Sequence, residues 1–384
     1  MKHKYLSKEP SINHQQGKVK RKGMHYLIIG FGCLILSACG THNNVQQVIQ
    51  PQSVLSYQDM NVSVKRFKNL YPKKPQYPQN CTDHCYPKSP KITCEADSQQ
   101  CQFIGKQNPP ALDLGFHVQW LGHASFLIRS PNGSQLLFDP VSGQFDWPVN
   151  WAFWLKEGFN RQLPYWPTQA ELAQTDLVLY SHIHYDHFNK DDIALLGQNT
   201  EYVVPLGLAA HFPDKGYKIN EMAWFSSIQR GDLTLHFVPA HHFSNRIWVP
   251  YLYEDDNTTL WGGWVVEYQG KRLFFAGDTG YSPHFSTIQD TYGDMDICLL
   301  PIASYYHKEH GNWYRYVHTT PEDALAAAKT LNCKVMIPWG FGNASWQMGD
   351  HSSHSALYRL LHMHKTLESD VPIYIMNEGE HTQL

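Results

Sequence analysis

Long apolar runs are missing from this 384-residue chain. The apolar stretch 26–38 falls short of the roughly 20 residues that a membrane-spanning helix needs. Charge is also scarce: Asp, Glu, Lys and Arg make up 17 % of the residues and the formal net charge is −3. That excludes the large basic field expected of a nucleic-acid-binding surface. No internal repeat is evident. Paired Cys-x-x-Cys steps are absent too, which argues against a structural zinc knot. Histidine, by contrast, is abundant, with 23 residues.

The N-terminus carries Lys18, Lys20, Arg21 and Lys22 ahead of that short apolar stretch. A basic segment, a short apolar core and small residues at its end read as a secretory signal. Leu36-Ser37-Ala38-Cys39 has the form of a bacterial lipobox, with Cys39 as the acylated residue (palmitate) and new N-terminus. An ordinary cleaved signal is the alternative, and Met1 and Met24 both stand as possible starts. Gly40 after Cys39, by resemblance to other lipoproteins, directs the chain to the periplasmic face of the outer membrane. The expected organisation is therefore a signal over 1–39, a tether and Cys-rich segment over 40–110, and a main folded domain over 111–384.

The remaining cysteines fit export. Cys81, Cys85, Cys94 and Cys101 form a clustered, even set that suggests two disulfides in one of three pairings. A zinc site on these thiolates, joined by His84, is the competing reading. Cys298 and Cys333 lie in apolar runs and read as buried core residues.

The most informative segment is Ser181-His182-Ile183-His184-Tyr185-Asp186-His187, directly after the apolar run Leu177–Tyr180. Zinc binds imidazole nitrogen and carboxylate oxygen, and a hydrolytic site needs several such ligands plus an open position. With so many histidines, one His-x-His can arise by chance. Asp186 and His187 in register behind a strand are harder to obtain that way.

From about residue 116 the pattern becomes short strands rich in Val, Ile, Phe and Tyr. Candidates are 116–121, 126–129, 136–138, 177–180, 202–204, 233–238, 264–268, 273–276, 297–300, 335–337 and 373–376. Asn132-Gly133 and Gln269-Gly270 supply hairpin turns. Thr320-Pro321-Glu322-Asp323 has the signals of a helix start, and the alanine-rich run to Leu331 follows. The loop before the metal motif is loaded with Trp147, Trp151, Phe153, Trp154, Phe159, Tyr165 and Trp166. It reads equally as an acyl groove or membrane contact and as a loop packed on the core.

Several ordered motifs resemble the metallo-β-lactamase superfamily, and within it the N-acyl-phosphatidylethanolamine-hydrolysing phospholipase D branch; ascorbate-phosphate lactonases are a more distant relation. They are Trp120–Ser125, Phe138–Pro140, Ser181–His187, Val204–Leu208, Pro239–His242, Trp261–Trp264, Phe274–Tyr281 and Pro338–Gly340. The resemblance implies an α/β fold, an αββα four-layer sandwich, with a binuclear zinc site at one edge. It implies His182, His184 and His242 on the first zinc, Asp186 and His187 on the second, and Asp278 bridging both. His241 remains an alternative to His242. His123 and Asp139 are expected behind the ligands, and His318 on the substrate side.

In one place the chain departs from the family. The superfamily has a histidine before Trp339-Gly340, where this chain has Pro338. One or two zinc ions are therefore both open, with His318 and His307 as possible substitutes. The activity implied is phospholipase D-type cleavage of N-acylphosphatidylethanolamine-like lipids. A shared water deprotonated by zinc attacks phosphorus, and Asp186 orients it. A lactonase, or a non-catalytic metal-binding lipoprotein, is the alternative. Expected partners are a phospholipid or small phosphodiester and, through the lipid anchor, a membrane, without nucleic acid.

Overall fold

The computed structural model describes residues 42–49, 56–59, 64–71, 85–95, 100–143, 163–246, 248–249, 253–303, 305, 315–345 and 352–384. The signal, Cys39, Cys81, His84, His307 and most of the aromatic loop lie outside the described residues. No helix among the described residues is long and apolar enough to cross a membrane.

Two sheets carry the fold. The first has eight strands in the spatial order 44–48, 218–222, 201–205, 177–179, 135–138, 125–129, 117–122 and 381–383. The second has six, in the order 227–230, 233–238, 263–268, 271–275, 297–301 and 335–339. Their inner faces meet in one apolar core, where Phe126 and Phe138 lie 6.1 and 5.1 Å, centroid to centroid, from Phe275. The helix Lys190–Leu196 covers the outer face of the first sheet through Ile193 and Leu196. The helices His284–Tyr292, Pro321–Thr330 and Ser355–Thr366 cover the second. The result is the expected αββα arrangement.

Local chemistry explains the elements that sequence patterning located. Gln269 and Gly270 take φ of 50° and 80° and turn the hairpin between Gly263–Tyr268 and Lys271–Phe275. Thr320 caps the helix Pro321–Thr330 in a capping box with Asp323, a contribution of about 1 kcal/mol.

Other segments differ from expectation. Residues 373–376 form no strand; Ile373 makes one isolated bridge to Met336. Pro372 lacks an amide there, and the Ile375 amide donates to Gln107 instead. The last strand is the polar His381–Gln383, which turns Thr382 inward. Within the expected tether, Asn44–Val48 adds a parallel edge strand beside Lys218–Met222. Its side chains are mostly exposed, so it leaves no apolar pattern. Lys218–Met222 escaped notice because it buries Asn220 and Glu221, whose polar groups pair with Glu201 and Gln47.

The cysteines need one correction. Cys298 and Cys333 are buried as expected, yet joined to each other by a disulfide. Parallel pairing of Ile297–Pro301 with Val335–Trp339 brings their Cα atoms to 5.9 Å, within bridging range. Cys94 and Cys101 close the hairpin Ile92–Cys94/Cys101–Phe103. Cys85 is also disulfide-bonded.

Candidate metal centre

Strands 135–138, 177–179 and 201–205 run parallel, as do 271–275, 297–301 and 335–339, so their C-terminal ends share one rim. Side chains from the loops leaving these ends converge there. Ser181–His187 follows Leu177–Leu179; Asp139 follows Gln135–Phe138; Asp278 follows Lys271–Phe275. His242 arrives after Leu233–Val238. Gly277 permits the approach: its φ is 60°, and a methyl group there would sit 2.6 Å from the Gly262 carbonyl oxygen.

Three imidazoles form one half of the site. His182 Nε2 lies 2.8 Å from His184 Nδ1, which lies 3.1 Å from His242 Nε2. Their outer partners fix the tautomers. Ser181 Oγ donates to Asp139 Oδ2, so it accepts from His182 Nδ1 at 2.8 Å. His242 Nδ1 donates to the Val317 carbonyl at 2.9 Å. Both Nε2 atoms therefore aim lone pairs at His184 Nδ1, and one proton cannot satisfy all three. His184 Nε2 is buried with no hydrogen-bond partner.

The other half is rich in carboxylate. His187 Nδ1 donates to Asp139 Oδ2 at 2.7 Å. Its Nε2 makes no well-formed hydrogen bond, yet stands 3.2 Å from Asp278 Oδ2 and 3.6 Å from Asp186 Oδ2. His123 Nε2 lies 2.9 Å from Asp186 Oδ2. Asp278 Oδ2 is shared between the halves, 4.0 Å from both His182 Nε2 and His242 Nε2 and 3.2 Å from His318 Nε2.

Electrostatics divide along the same line. Burial holds His182 and His242 well below the ordinary imidazole value and His184 at about 4, so all three are neutral and able to ligate near pH 7. Burial also opposes charge on His187, but Asp278, Asp186 and Asp139 outweigh it and hold its imidazole well above the ordinary value. Burial works to raise Asp186 and Asp278; His187, with His123 and His318 respectively, keeps both below the usual carboxylate range. Asp139, fully enclosed, is raised by burial against the pull of His187 and Ser181.

His123, Asp139, His182, His184, Asp186, His187, His242, Asp278 and His318 thus gather at this rim in overlapping groups. His241 is excluded from the cluster: its two ring nitrogens face the carbonyl oxygens of Tyr316 and Tyr71, at 3.0 and 2.8 Å. His318 joins His242 and Asp278, with ligand atoms within 4.8 Å of one another. Tyr165 and Trp166, the described end of the aromatic loop, pack on the outer cluster of the first sheet.

Several supporting residues carried no signal in the sequence. Asn69 accepts from the His242 amide at 3.0 Å and donates to its carbonyl at 2.9 Å. Buried Arg246 donates to the carbonyls of Ile183 and Phe188 at 2.8 and 2.9 Å, clamping both ends of the metal loop. Asn189 then caps the helix Lys190–Leu196. These contacts span up to 173 residues, and such pairings leave no local mark.

The donor set suits divalent metal. Lone-pair nitrogens and carboxylate oxygens converge in groups whose ligand atoms lie within 4.8 Å: His182, His184 and His242 in one, His123, Asp186 and His187 in another. One buried imidazole nitrogen without a hydrogen-bond partner, His187 Nε2, faces Asp186 and Asp278 there. Such atoms are costly unless a cation meets them, and imidazole with carboxylate is a zinc-compatible combination.

Comparison with known proteins agrees with this geometry. Residues 134–341 match the family described as "Beta-lactamase superfamily domain". An uncharacterized protein of Mycobacterium tuberculosis is 36 % identical over 254 residues, covering 64 % of this chain and 63 % of its own length. The match thus spans under two thirds of that relative. The N-acyl-phosphatidylethanolamine-hydrolyzing phospholipase D 1 of Caenorhabditis elegans is 29 % identical over 245 residues, 59 % of this chain and 65 % of its own. The crystal structure of isothiocyanate hydrolase from Delia radicum gut bacteria superposes with a TM-score of 0.51 at 16 % identity, covering 70 % of this chain and 98 % of its own. That likeness concerns the fold.

Proposed function

The chain belongs to the beta-lactamase superfamily domain family, and from that footing we propose that it cleaves phosphodiesters as a phospholipase D, with N-acylphosphatidylethanolamine-like lipids as substrate. Its general class is metal-dependent hydrolase of this superfamily. The carrying observation is the convergence of fixed imidazole lone pairs and carboxylate oxygens on one rim of the sandwich. The similarity to the Caenorhabditis elegans enzyme supports the lipid substrate.

In this reading His182, His184 and His242 would hold one metal and Asp186 and His187 the other, with Asp278 Oδ2 placed between the two sets. Zinc bound there would lower the pKa of water and neutralise charge building on the phosphoryl group. The protein's own groups do the rest. Asp186 would orient the attacking water. Asp139 holds His187 in one tautomer and the Ser181 hydroxyl in one direction, keeping the donor set rigid. His318, partly exposed with Nε2 3.2 Å from Asp278 Oδ2, lies on the substrate side of the cluster. The phosphorus–oxygen bond to the N-acylethanolamine breaks, phosphatidate keeps the phosphoryl group, and water supplies hydroxyl and proton.

The same reading keeps Cys39 as the lipid anchor at the periplasmic face of the outer membrane. The disulfides Cys94–Cys101 and Cys298–Cys333 support an oxidising compartment.

Mass spectrometry of products from a bacterial lipid extract and from a lactone panel tests the substrate. Release of N-acylethanolamine and phosphatidate, abolished in His184→Ala, is the expected result. Lactone opening without phosphodiester cleavage would replace the substrate class, and no turnover of either would overturn the enzymatic reading.

A further inference from the structure

We propose that His123 is a ligand of the second metal position, completing the set formed by Asp186, His187 and Asp278. The inference rests on reading the cluster as a metal centre and adds a residue expected only behind the ligands.

The backbone presents His123 deliberately. It follows Gly122, whose φ is 110°, and itself takes φ of 51°, in the left-handed region that non-glycine residues seldom occupy. Trp120 Nε1 donates to its carbonyl at 2.9 Å and fixes the turn. The side chain is buried, with Nε2 2.9 Å from Asp186 Oδ2. The ligand atoms of His123, Asp186 and His187 all lie within 4.8 Å of one another.

Hydrogen-bond bookkeeping assigns the tautomer. The Ser345 hydroxyl donates to the Gly340 carbonyl, and a hydroxyl has one proton to give. His123 Nδ1, 2.8 Å from Ser345 Oγ, must therefore be the donor in that contact. With Nδ1 tied to Ser345, Nε2 is the ring nitrogen left to face Asp186 Oδ2, and His187 Nε2 opens onto the same space.

Position 338 needs a substitute, and the other candidate sits elsewhere. Pro338, in the strand Val335–Trp339, has no side-chain donor atom. His318 groups with His242 and Asp278 on the three-histidine side. The Trp339 ring lies 6.4 Å, centroid to centroid, from both His123 and His187 and walls the pair.

The test is a zinc titration of the full chain after chelation, with bound equivalents read by elemental mass spectrometry. Wild type, His123→Asn, Ser345→Ala and His318→Ala are compared; asparagine tolerates the left-handed backbone. Wild type is expected to hold two equivalents, and His123→Asn to hold the first normally while binding the second about 100-fold more weakly. Ser345→Ala should weaken the second ion by about 10-fold, and His318→Ala should keep both. Wild-type affinity for the second ion in His123→Asn would overturn the proposal, as would its loss in His318→Ala alone. If His123→Asn does not fold, unchanged second-ion affinity in Ser345→Ala overturns it. A lower melting temperature of chelated His123→Asn with normal second-ion affinity would mark an ion pair with Asp186, and the proposal would fall. One equivalent in wild type removes the second position but leaves the hydrolase reading standing; none removes both.

Discussion

The two halves of the metal centre are built on different principles. The half made by His182, His184 and His242 is all imidazole, kept neutral by burial and braced by Ser181, the Val317 carbonyl and Asn69. The half around His187 concentrates Asp139, Asp186 and Asp278, whose carboxylates hold its imidazole well above the ordinary value against burial. A neutral nitrogen set binds through lone-pair geometry alone, whereas a carboxylate set adds negative charge that attracts a cation. The first half should therefore be more sensitive to misplaced rings and the second to altered charge.

The largest effect should come from breaking the first half. His184→Ala removes the nitrogen on which two other lone pairs converge, and hydrolysis should fall by about 10³-fold or more. Steady-state rates at saturating zinc check this.

The second half should break more gradually. Asp139→Asn leaves the shape but removes the charge that orients His187, so metal affinity should drop about 10–100-fold. Competition with a chromogenic chelator would read that loss, larger for the second ion than for the first, which Asp139 reaches only through Ser181 and His182.

Asn69→Ala sharpens the contrast from outside. It removes both hydrogen bonds to the His242 peptide, and stability should fall by about 1–3 kcal/mol. The first ion should weaken and the second should not, measurable by urea unfolding alongside zinc titration.

Cys298→Ser with Cys333→Ser should leave both halves intact. Cutting a bridge that closes a 35-residue separation should cost about 2–4 kcal/mol. A lowered melting temperature with unchanged zinc stoichiometry is expected.

The sequence revealed the ligands unequally. Four ligands lie within six residues of one loop, and the preceding apolar run shows the strand that delivers them. His242 and Asp278 were legible through motif resemblance, since each stands at the end of a separate strand. Asn69, Arg246 and Ser345 were not, because each acts across a gap of at least 58 residues that only the folded chain closes. His123 was noticed, but its tautomer depends on Ser345, 222 residues away. The fold was readable mainly at strands beyond residue 116 with long apolar faces, such as His117–Gly122 and Leu233–Val238. It failed at Asn44–Val48, which is exposed, and at Lys218–Met222, which buries paired polar groups.

Anomalous diffraction at the zinc edge, from crystals of the chain grown with zinc, tests the central claim most directly. The account predicts one peak bounded by His182, His184 and His242 and a second bounded by Asp186, His187 and Asp278. Crystals with no peak at this rim would contradict it.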